Sequence, residues 1–268
     1  MNFYTSKLFT RNWKSSKDIK ALILLIHGLG DHSGRYEYLV KYLTKWGAHI
    51  TAIDLHGHGK SSGKRGHIPS YNLVFNDISN AIIKLKKVNN TLPVFLYGHS
   101  MGGNLVINYS LRENSNINGI IASSPAIRPA FTSSTLKLML AKILYPIYPS
   151  LTLNSGLELT GISRDKSIIE AYKNDPLVHS HVSIRLALDI LKNGEWALEN
   201  SQKLKMPGLI LHGDKDILTD HDASKTFANK SSVCKFNSFK GGYHELHNDI
   251  DKEIVFSKIT DWLSEVIA

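Results

Sequence analysis

Continuous apolar runs alternate along the chain with stretches in which apolar positions recur every three or four residues, and this alternation sets the expected architecture. Ala21-Leu22-Ile23-Leu24-Leu25-Ile26 is apolar throughout, the pattern of a parallel strand covered on both faces, and it runs into His27-Gly28-Leu29-Gly30. Tyr36, Leu39, Val40, Leu43 and Trp46 then recur at helical spacing up to Gly47. The unit repeats, with a strand expected over 49–54, a glycine-bearing loop over 55–63, and a helix marked by Leu73, Val74, Ile78, Ala81, Ile82 and Leu85. A third unit joins the run 92–96 to the turn Gly98-His99-Ser100-Met101-Gly102-Gly103 and a helix-like stretch over 104–109, and a fourth strand is expected over 117–122. Such alternation predicts the α/β class, a mostly parallel sheet with right-handed crossovers and helices on its faces. Ahead of it, residues 3 to 14 read as an opening strand or hairpin and Ser15-Ser16-Lys17-Asp18 as a turn.

From about 125 to 200 the alternation stops. Leu136, Met139, Leu140, Ile143, Leu144 and Ile147 form one broad apolar face, and Pro146, Pro149 and Pro176 break the segment, which reads as a helical insertion within a single domain spanning 1–268. The strand pattern resumes over 207–213 and 233–239. A final helix is expected to carry Ile250, Ile254, Val255, Ile259, Trp262, Leu263 and Val266 on one side.

With 268 residues, 42 % of them hydrophobic, the chain is long enough to bury one large α/β core. Its single cysteine, Cys234, excludes an internal disulfide and, lying in a strand-like run, reads as a structural thiol rather than a nucleophile. The stretch Met1-Asn2-Phe3-Tyr4-Thr5-Ser6-Lys7 lacks the apolar core of a secretory signal, which makes the cytoplasm the expected address. A net charge of +9 raises the question of nucleic acid or anionic lipid. The lysines are scattered, and the densest group, Lys84-Leu85-Lys86-Lys87, ends a predicted helix, where cations suit the helix dipole. Nucleic acid is therefore not an expected partner, while attraction to anionic membrane surfaces stays open. No apolar run approaches the roughly 18 residues of a spanning helix.

The turn at Gly98-x-Ser100-x-Gly102 is the candidate for chemistry. Between a strand and a helix, a serine on so sharp a turn has its oxygen pushed above the sheet, and side chains two residues either side would collide. The bare pattern arises by chance in roughly one chain of this length in ten, so the surroundings must support it. A serine hydroxyl needs a base within hydrogen-bond reach and an acid to orient that base. Two strand ends offer them, Gly213-Asp214-Lys215-Asp216 and Gly241-Gly242-Tyr243-His244-Glu245-Leu246-His247, and spacing alone leaves Asp214 or Asp216, and His244 or His247, undecided. His27, His56 and His58 could be drawn as a metal cluster, but His-Gly-His-Gly gives loop geometry rather than ligand spacing, and no metal is expected. His99 reads as a packed turn residue. Glu245 and Asp249 read as solvated or as capping the final helix.

The motifs His27-Gly28-Leu29-Gly30-Asp31-His32-Ser33-Gly34-Arg35-Tyr36, Asp54-Leu55-His56-Gly57-His58-Gly59-Lys60-Ser61 and Gly98-His99-Ser100-Met101-Gly102-Gly103 together resemble the monoacylglycerol lipase and lysophospholipase-like branch of the α/β-hydrolase family. The resemblance continues into the insertion through Ser163-Arg164-Asp165 and Asp175-Pro176-Leu177-Val178 and covers nearly the full length. It implies a triad of Ser100, Asp216 and His244, an oxyanion hole from the backbone N–H groups of Leu29 and Met101, and no cofactor. It further implies a polar pocket for the alcohol formed by Asp31, Arg35, Tyr172 and His247, with Asp31 one methylene shorter than the family's common glutamate. The insertion would then be a cap bordering the acyl channel. Its apolar helix, flanked by Lys137 and Lys142, is expected either at a membrane surface or buried against the core. The implied partner is a small lipid ester, foremost a monoacylglycerol. A lysophospholipase, a short-chain carboxylesterase or a thioesterase would use the same triad, and Arg35 leaves a phosphate-bearing head group open. A non-catalytic ligand-binding fold is disfavoured because all triad positions are filled.

Overall fold

A computed structural model describes residues 8–15, 17–113, 116–131 and 135–268. In chain order the sheet-forming part begins with β1 (Thr10–Trp13), β2 (Ala21–Ile26), α1 (Glu37–Trp46), β3 (Ala48–Ile53) and α2 (Tyr71–Leu85). It continues through β4 (Val94–His99), α3 (Met101–Arg112) and β5 (Gly119–Ser123). An inserted segment carries α4 (Thr135–Leu144), β6 (Thr152–Asn154), α5 (Lys166–Asn174), β7 (His181–Ser183) and α6 (Ile184–Glu199). The chain then returns through β8 (Gly208–Gly213), α7 (His221–Lys230), β9 (Cys234–Phe239) and α8 (Lys252–Ile267). Of the expected opening hairpin, residues 3–7 lie outside the described residues, and the remainder forms β1.

Seven strands make one sheet in the order β1-β3-β2-β4-β5-β8-β9, parallel except for the antiparallel pairing of β1 with β3. The alternating side chains of β2 explain its wholly apolar sequence. Leu22, Leu24 and Ile26 enter a cluster with Val74 and Ile78 of α2 and Leu105 of α3, whereas Ala21, Ile23 and Leu25 enter another with Leu39 and Leu43 of α1 and Phe256 and Ile259 of α8. Each fully buried Leu or Ile contributes about 1.5–3 kcal/mol relative to exposure. Truncating Leu24 to alanine in such a setting costs about 2–5 kcal/mol.

Edge strand β9 lacks that double cover and is only half-buried. Cys234 at its start packs against Gly208, where an added Cβ would lie 2.6 Å from the sulfur, and burial pushes its thiol up to about 11. The thiol therefore stays protonated at neutral pH.

The final helix is shorter than its apolar periodicity suggests. Ile250 precedes it and Ile254 points outward, both more than half exposed, so the buried face runs through Val255, Phe256, Ile259, Trp262 and Leu263. The insertion also departs from a purely helical reading, since β6 and β7 pair antiparallel. Strands of three residues are too short to leave a pattern in the sequence.

From β2 the chain turns to β3 on one side, then crosses β2 to reach β4 on the other. The β2–β4 boundary is thus a topological switch point, where the loops leaving the carboxyl ends of two parallel strands diverge and leave a crevice.

Candidate active site

Ser100 stands at that crevice, between the end of β4 and the start of α3, with φ 54° and ψ −117°. This is a backbone region that a non-glycine residue occupies only when its surroundings impose it. The flanking glycines are required by close backbone approach. A Cβ at Gly98 would lie 2.2 Å from the Gly102 carbonyl oxygen, and one at Gly102 would lie 2.2 Å from that of Ile26. The Ser100 N–H donates to Ser123 O at 3.0 Å, and its carbonyl accepts from Asn104 and Ala126, so the strained turn is held from three sides.

The Met101 N–H opens α3 and, like that of Leu29, donates to no acceptor among the described residues. Leu29, Met101, Ser100 and His244 all border one cavity of about 530 Å³.

His244 and Asp216 meet from the loops after β9 and β8, the Nδ1–H of His244 donating to Asp216 Oδ2 at 2.7 Å. Asp216 Oδ1 accepts from the backbone N–H groups of Leu218 and Thr219 at 2.8 and 3.1 Å. Its Oδ2 also accepts from Thr219 Oγ1 at 2.9 Å and from His212 Nε2 at 3.0 Å. Burial alone would raise the Asp216 carboxyl, but the charge of His244 and the hydrogen bonds from both imidazoles outweigh it and hold the group far below the usual carboxylate range. For His244, burial works against the charged form, while the charge and hydrogen bond of Asp216, then Glu245 and Asp31, raise it above imidazole's usual 6.5. An imidazole so supported keeps its proton-accepting strength while its Nδ1 is locked as a donor.

Asp214 and His247, the alternatives that spacing leaves open, are engaged elsewhere in the fold. Asp214 is exposed and accepts from Gly241 N–H at 2.6 Å, shaping the loop before His244. His247 is buried, stacks on Tyr36 with ring centroids 4.5 Å apart, and has no hydrogen-bond partner on either ring nitrogen among the described residues. Burial lowers its imidazole to about 4. His99 is likewise buried and shifted well down, first by burial and then by His244 and His247, and its Nδ1–H donates to Ser123 O. Both ring nitrogens of His27 are used inside the fold, by Gly28 O and by the Leu55 N–H, and His56 faces Asp77.

The carboxylates near the base are neither solvated nor capping, contrary to their reading in sequence. Glu245 is buried and binds the Arg35 guanidinium with both oxygens, at 2.6 and 2.8 Å. Burial would raise its carboxyl, and Arg35 instead brings it down to about 2. Asp249, also buried, accepts from Arg164 Nε at 2.9 Å and from the N–H groups of Arg164 and Tyr243.

Arg35 also reaches Asp31 at 3.2 Å and lies over the Tyr172 ring at 4.5 Å, so its charge is enclosed by two carboxylates and an aromatic face. Asp31 accepts in addition from Tyr36 Oη at 2.7 Å. Asp31, Tyr172 and Glu245 line the cavity beside Ser100, and Arg35 and His247 do not. Apolar groups from the insertion complete the lining, among them Leu138, Leu157, Ile162, Leu188 and Leu191.

Ser124 and Thr219 went unremarked in the sequence. Ser124, at φ 44°, donates from Oγ to the His244 carbonyl at 2.7 Å, and Thr219 holds Asp216. Their only sequence signal is position, each falling just beyond the end of a central strand or its acid.

The insertion is bound to this site at several points. His244 N–H donates to Gly161 O and Glu245 N–H to Ile162 O. His32 Nε2 meets Asp175 at 2.9 Å, and His179 N–H donates to Gly30 O. On the far side, Asn104 Nδ2 reaches Ile190 O of α6, and Arg112 lies 3.6 Å over the Trp196 ring. α4 is different. Met139, Leu140, Ile143, Ile147 and Tyr148 on and after it are more than half exposed, which removes the reading of a helix buried against the core. The side chains of Leu136 and Lys137 lie outside the described residues.

A parallel sheet with its serine turn at the switch point and a hydrogen-bonded His–Asp pair on later loops has the architecture of an α/β-hydrolase with an inserted cap. Residues 17–251 match the Hydrolase_4 family, described as serine aminopeptidase, S33. The chain is 32 % identical to the monoglyceride lipase of Rattus norvegicus over 97 % of its own length and 88 % of that protein's. It is 35 % identical to phospholipase YtpA of Bacillus subtilis over 91 % of itself and 95 % of the relative. The crystal structure of Paleococcus ferrophilus monoacylglycerol lipase superposes with a TM-score of 0.89 at 34 % identity, covering 97 % of this chain and 99 % of that one. The chain spans 28 % of the length of an abhydrolase domain-containing protein of Dictyostelium discoideum to which it is 35 % identical. It belongs to the α/β-hydrolase family, in the monoacylglycerol lipase-like branch, and is a serine hydrolase acting on carboxylic esters.

Proposed function

We propose that this hydrolase cleaves long-chain monoacylglycerols into glycerol and a free fatty acid. Ser100 Oγ attacks the ester carbonyl carbon as His244 takes its proton, and the developing oxyanion is held by the N–H groups of Leu29 and Met101. Collapse of this intermediate returns the proton to the leaving alcohol and leaves the acyl group on Ser100. Water, deprotonated by His244, then releases the fatty acid and restores the serine. Asp216 keeps the imidazole in the Nδ1–H tautomer and stabilises its cation in both halves. The residues 1–268 act as one domain, with the cap of about 125–200 forming the acyl side of the cavity.

The state of Arg35 carries the choice of head group. Its guanidinium is engaged by Glu245 and Asp31, and the cation that lines the cavity among the described residues, Arg128, is paired with Glu195 at 2.5 and 2.7 Å. A substrate head therefore meets the carboxylates of Asp31 and Glu245 and the Tyr172 ring, which suits a neutral polyol hydroxyl and repels a phosphate. Asp31 and Tyr172 contact the alcohol, Arg35 holds both in place, and His247 backs Asp31 through the Tyr36 ring stacked on it. The similarity to a phospholipase favours the other reading, a lysophospholipase using the same triad.

Rates on a long-chain monoacylglycerol, the matching lysophospholipid and a short-chain ester, measured side by side, decide between them. The monoacylglycerol is expected to be fastest, and a faster lysophospholipid or short ester overturns the assignment. Ser100→Ala should abolish turnover on all three with the fold intact. We also infer that the exposed apolar side of α4 rests on lipid surfaces, from which the enzyme draws its substrate.

A further inference from the structure

His212 is fully buried at the end of β8, on the strand face that packs against α7, and the mechanism above does not use it. Its ring is nonetheless in contact with the acid of the triad. Nε2 lies 3.0 Å from Asp216 Oδ2 and 3.2 Å from the Thr219 carbonyl oxygen, and Nδ1 lies 2.8 Å from Ser224 Oγ. A carboxylate and a carbonyl can only accept, so Nε2 carries the hydrogen, and the Ser224 hydroxyl donates to Nδ1. That pairing selects the Nε2–H tautomer of His212, as Asp216 selects the Nδ1–H tautomer of His244.

We propose that His212 is a positioning residue for the catalytic acid, sharing the Asp216 Oδ2 atom with His244 and so setting how much of the carboxylate's charge the base receives. This role rests on the Ser100–His244–Asp216 reading. Oδ2 has two lone pairs and accepts from three donors, His244 Nδ1 at 2.7 Å, Thr219 Oγ1 at 2.9 Å and His212 Nε2 at 3.0 Å. Each donor spreads the charge of that oxygen, and removing the His212 hydrogen concentrates it toward His244. The imidazolium of His244 is then held more strongly. The other titratable groups facing His244 are Glu245, Asp31 and the rings of His99, 4.8 Å away, and His247, and none of them is hydrogen-bonded to His212 among the described residues; Thr219 Oγ1 lies 3.3 Å from both His244 Nδ1 and His212 Nε2. A merely structural role for His212 predicts the opposite sign, because a loosened Asp216 would stabilise the imidazolium less.

The test is the pH profile of kcat/KM on a long-chain monoacylglycerol. His212→Leu, which removes the donor, should move the acid limb to higher pH by about half a unit to one unit, whereas His212→Gln, which keeps an Nε2–H donor, should leave it near the wild-type position. A limb in His212→Leu that stays in place or moves to lower pH overturns the proposal. If His212→Leu does not fold, His212→Met, which likewise places no donor against Asp216 Oδ2, takes its place. Its limb should again move upward, and an unmoved limb overturns the proposal. Labelling of wild-type Ser100 by a fluorophosphonate reports separately on the nucleophile. Labelled Ser100 with an unmoved limb removes the role of His212 and leaves the triad standing, while absence of labelling removes the triad and His212's role with it.

Discussion

Asp216 and Glu245 are both buried carboxylates held in their charged form, by different partners and with different consequences. Asp216 spends its charge on His244, whose imidazole is lifted above 6.5 by that contact and by the more distant Glu245 and Asp31. Activity requires the neutral imidazole, so kcat/KM should rise with pH along a limb whose midpoint lies above 6.5. A pH–rate profile flat from about 5 to 8 would remove His244 as the base. Glu245 spends its charge on Arg35. Its folded carboxyl titrates at about 2, below the roughly 4.3 of an unfolded chain, so the stability it contributes is complete above the unfolded value and is lost as pH falls through the folded one. Glu245→Gln leaves a buried guanidinium short of a partner and should lower stability at neutral pH by about 3 kcal/mol in urea unfolding. The same variant should be less sensitive to acid between about pH 4.3 and 2.

These pairings also mark the limit of what single positions disclose. The serine turn was legible because its constraint is local, three residues with glycines at fixed offsets. Glu245 and Arg35 are 210 positions apart, and Arg164 and Asp249 are 85 apart. Nothing near a carboxylate in sequence announces a guanidinium that only the folded chain brings to it. Spacing leaves Asp214 and Asp216 open and family likeness implies Asp216; in the structure the two differ physically, Asp216 buried against two imidazoles and Asp214 exposed on a loop.

Among the elements, β2 was the most legible, since burial on both faces demands an unbroken apolar run, whereas β3, equally buried, carries His49 and Thr51 within it. β9 and α8 were less so, because a half-covered strand and a helix with outward Ile254 blur the periodicity. The insertion divides into parts of unequal attachment. Residues 161–164 are hydrogen-bonded to the His244 loop, Asp175 and His179 to the loop after β2, and α6 to α3. α4 packs mainly on α6, where Tyr145 Oη donates to Asp189 at 2.9 Å. Local opening should follow that order, with the amides of α4 exchanging hydrogen fastest among the helices and those of α3 slowest. Exchange in α6 as fast as in α4 would show the cap to move as one body.

At the scale of the whole molecule, the lipid contact proposed for the exposed apolar side of α4 would draw on the scattered charge of +9 as well. No helix among the described residues is long and apolar enough to cross a membrane. Peripheral binding should be stronger on vesicles with anionic lipid than on neutral ones and should weaken with salt. Met139→Glu combined with Ile143→Glu should reduce vesicle co-sedimentation at least tenfold, since each change removes roughly 1.5–3 kcal/mol of apolar contact. Hydrolysis of a short soluble ester should be nearly unchanged. Equal loss on that ester would mean the double variant damages the site instead.

The hydrogen bonds from His244 and Glu245 to Gly161 and Ile162 make the catalytic base a tenant of both halves of the chain. For anyone transplanting specificity between relatives, the seam is therefore not where the insertion leaves the sheet. A graft confined to 131–150 changes the acyl wall and leaves the base in its native loop. One that runs on past Gly161 exchanges the support of His244 along with the substrate, and would trade a new preference for a slower enzyme.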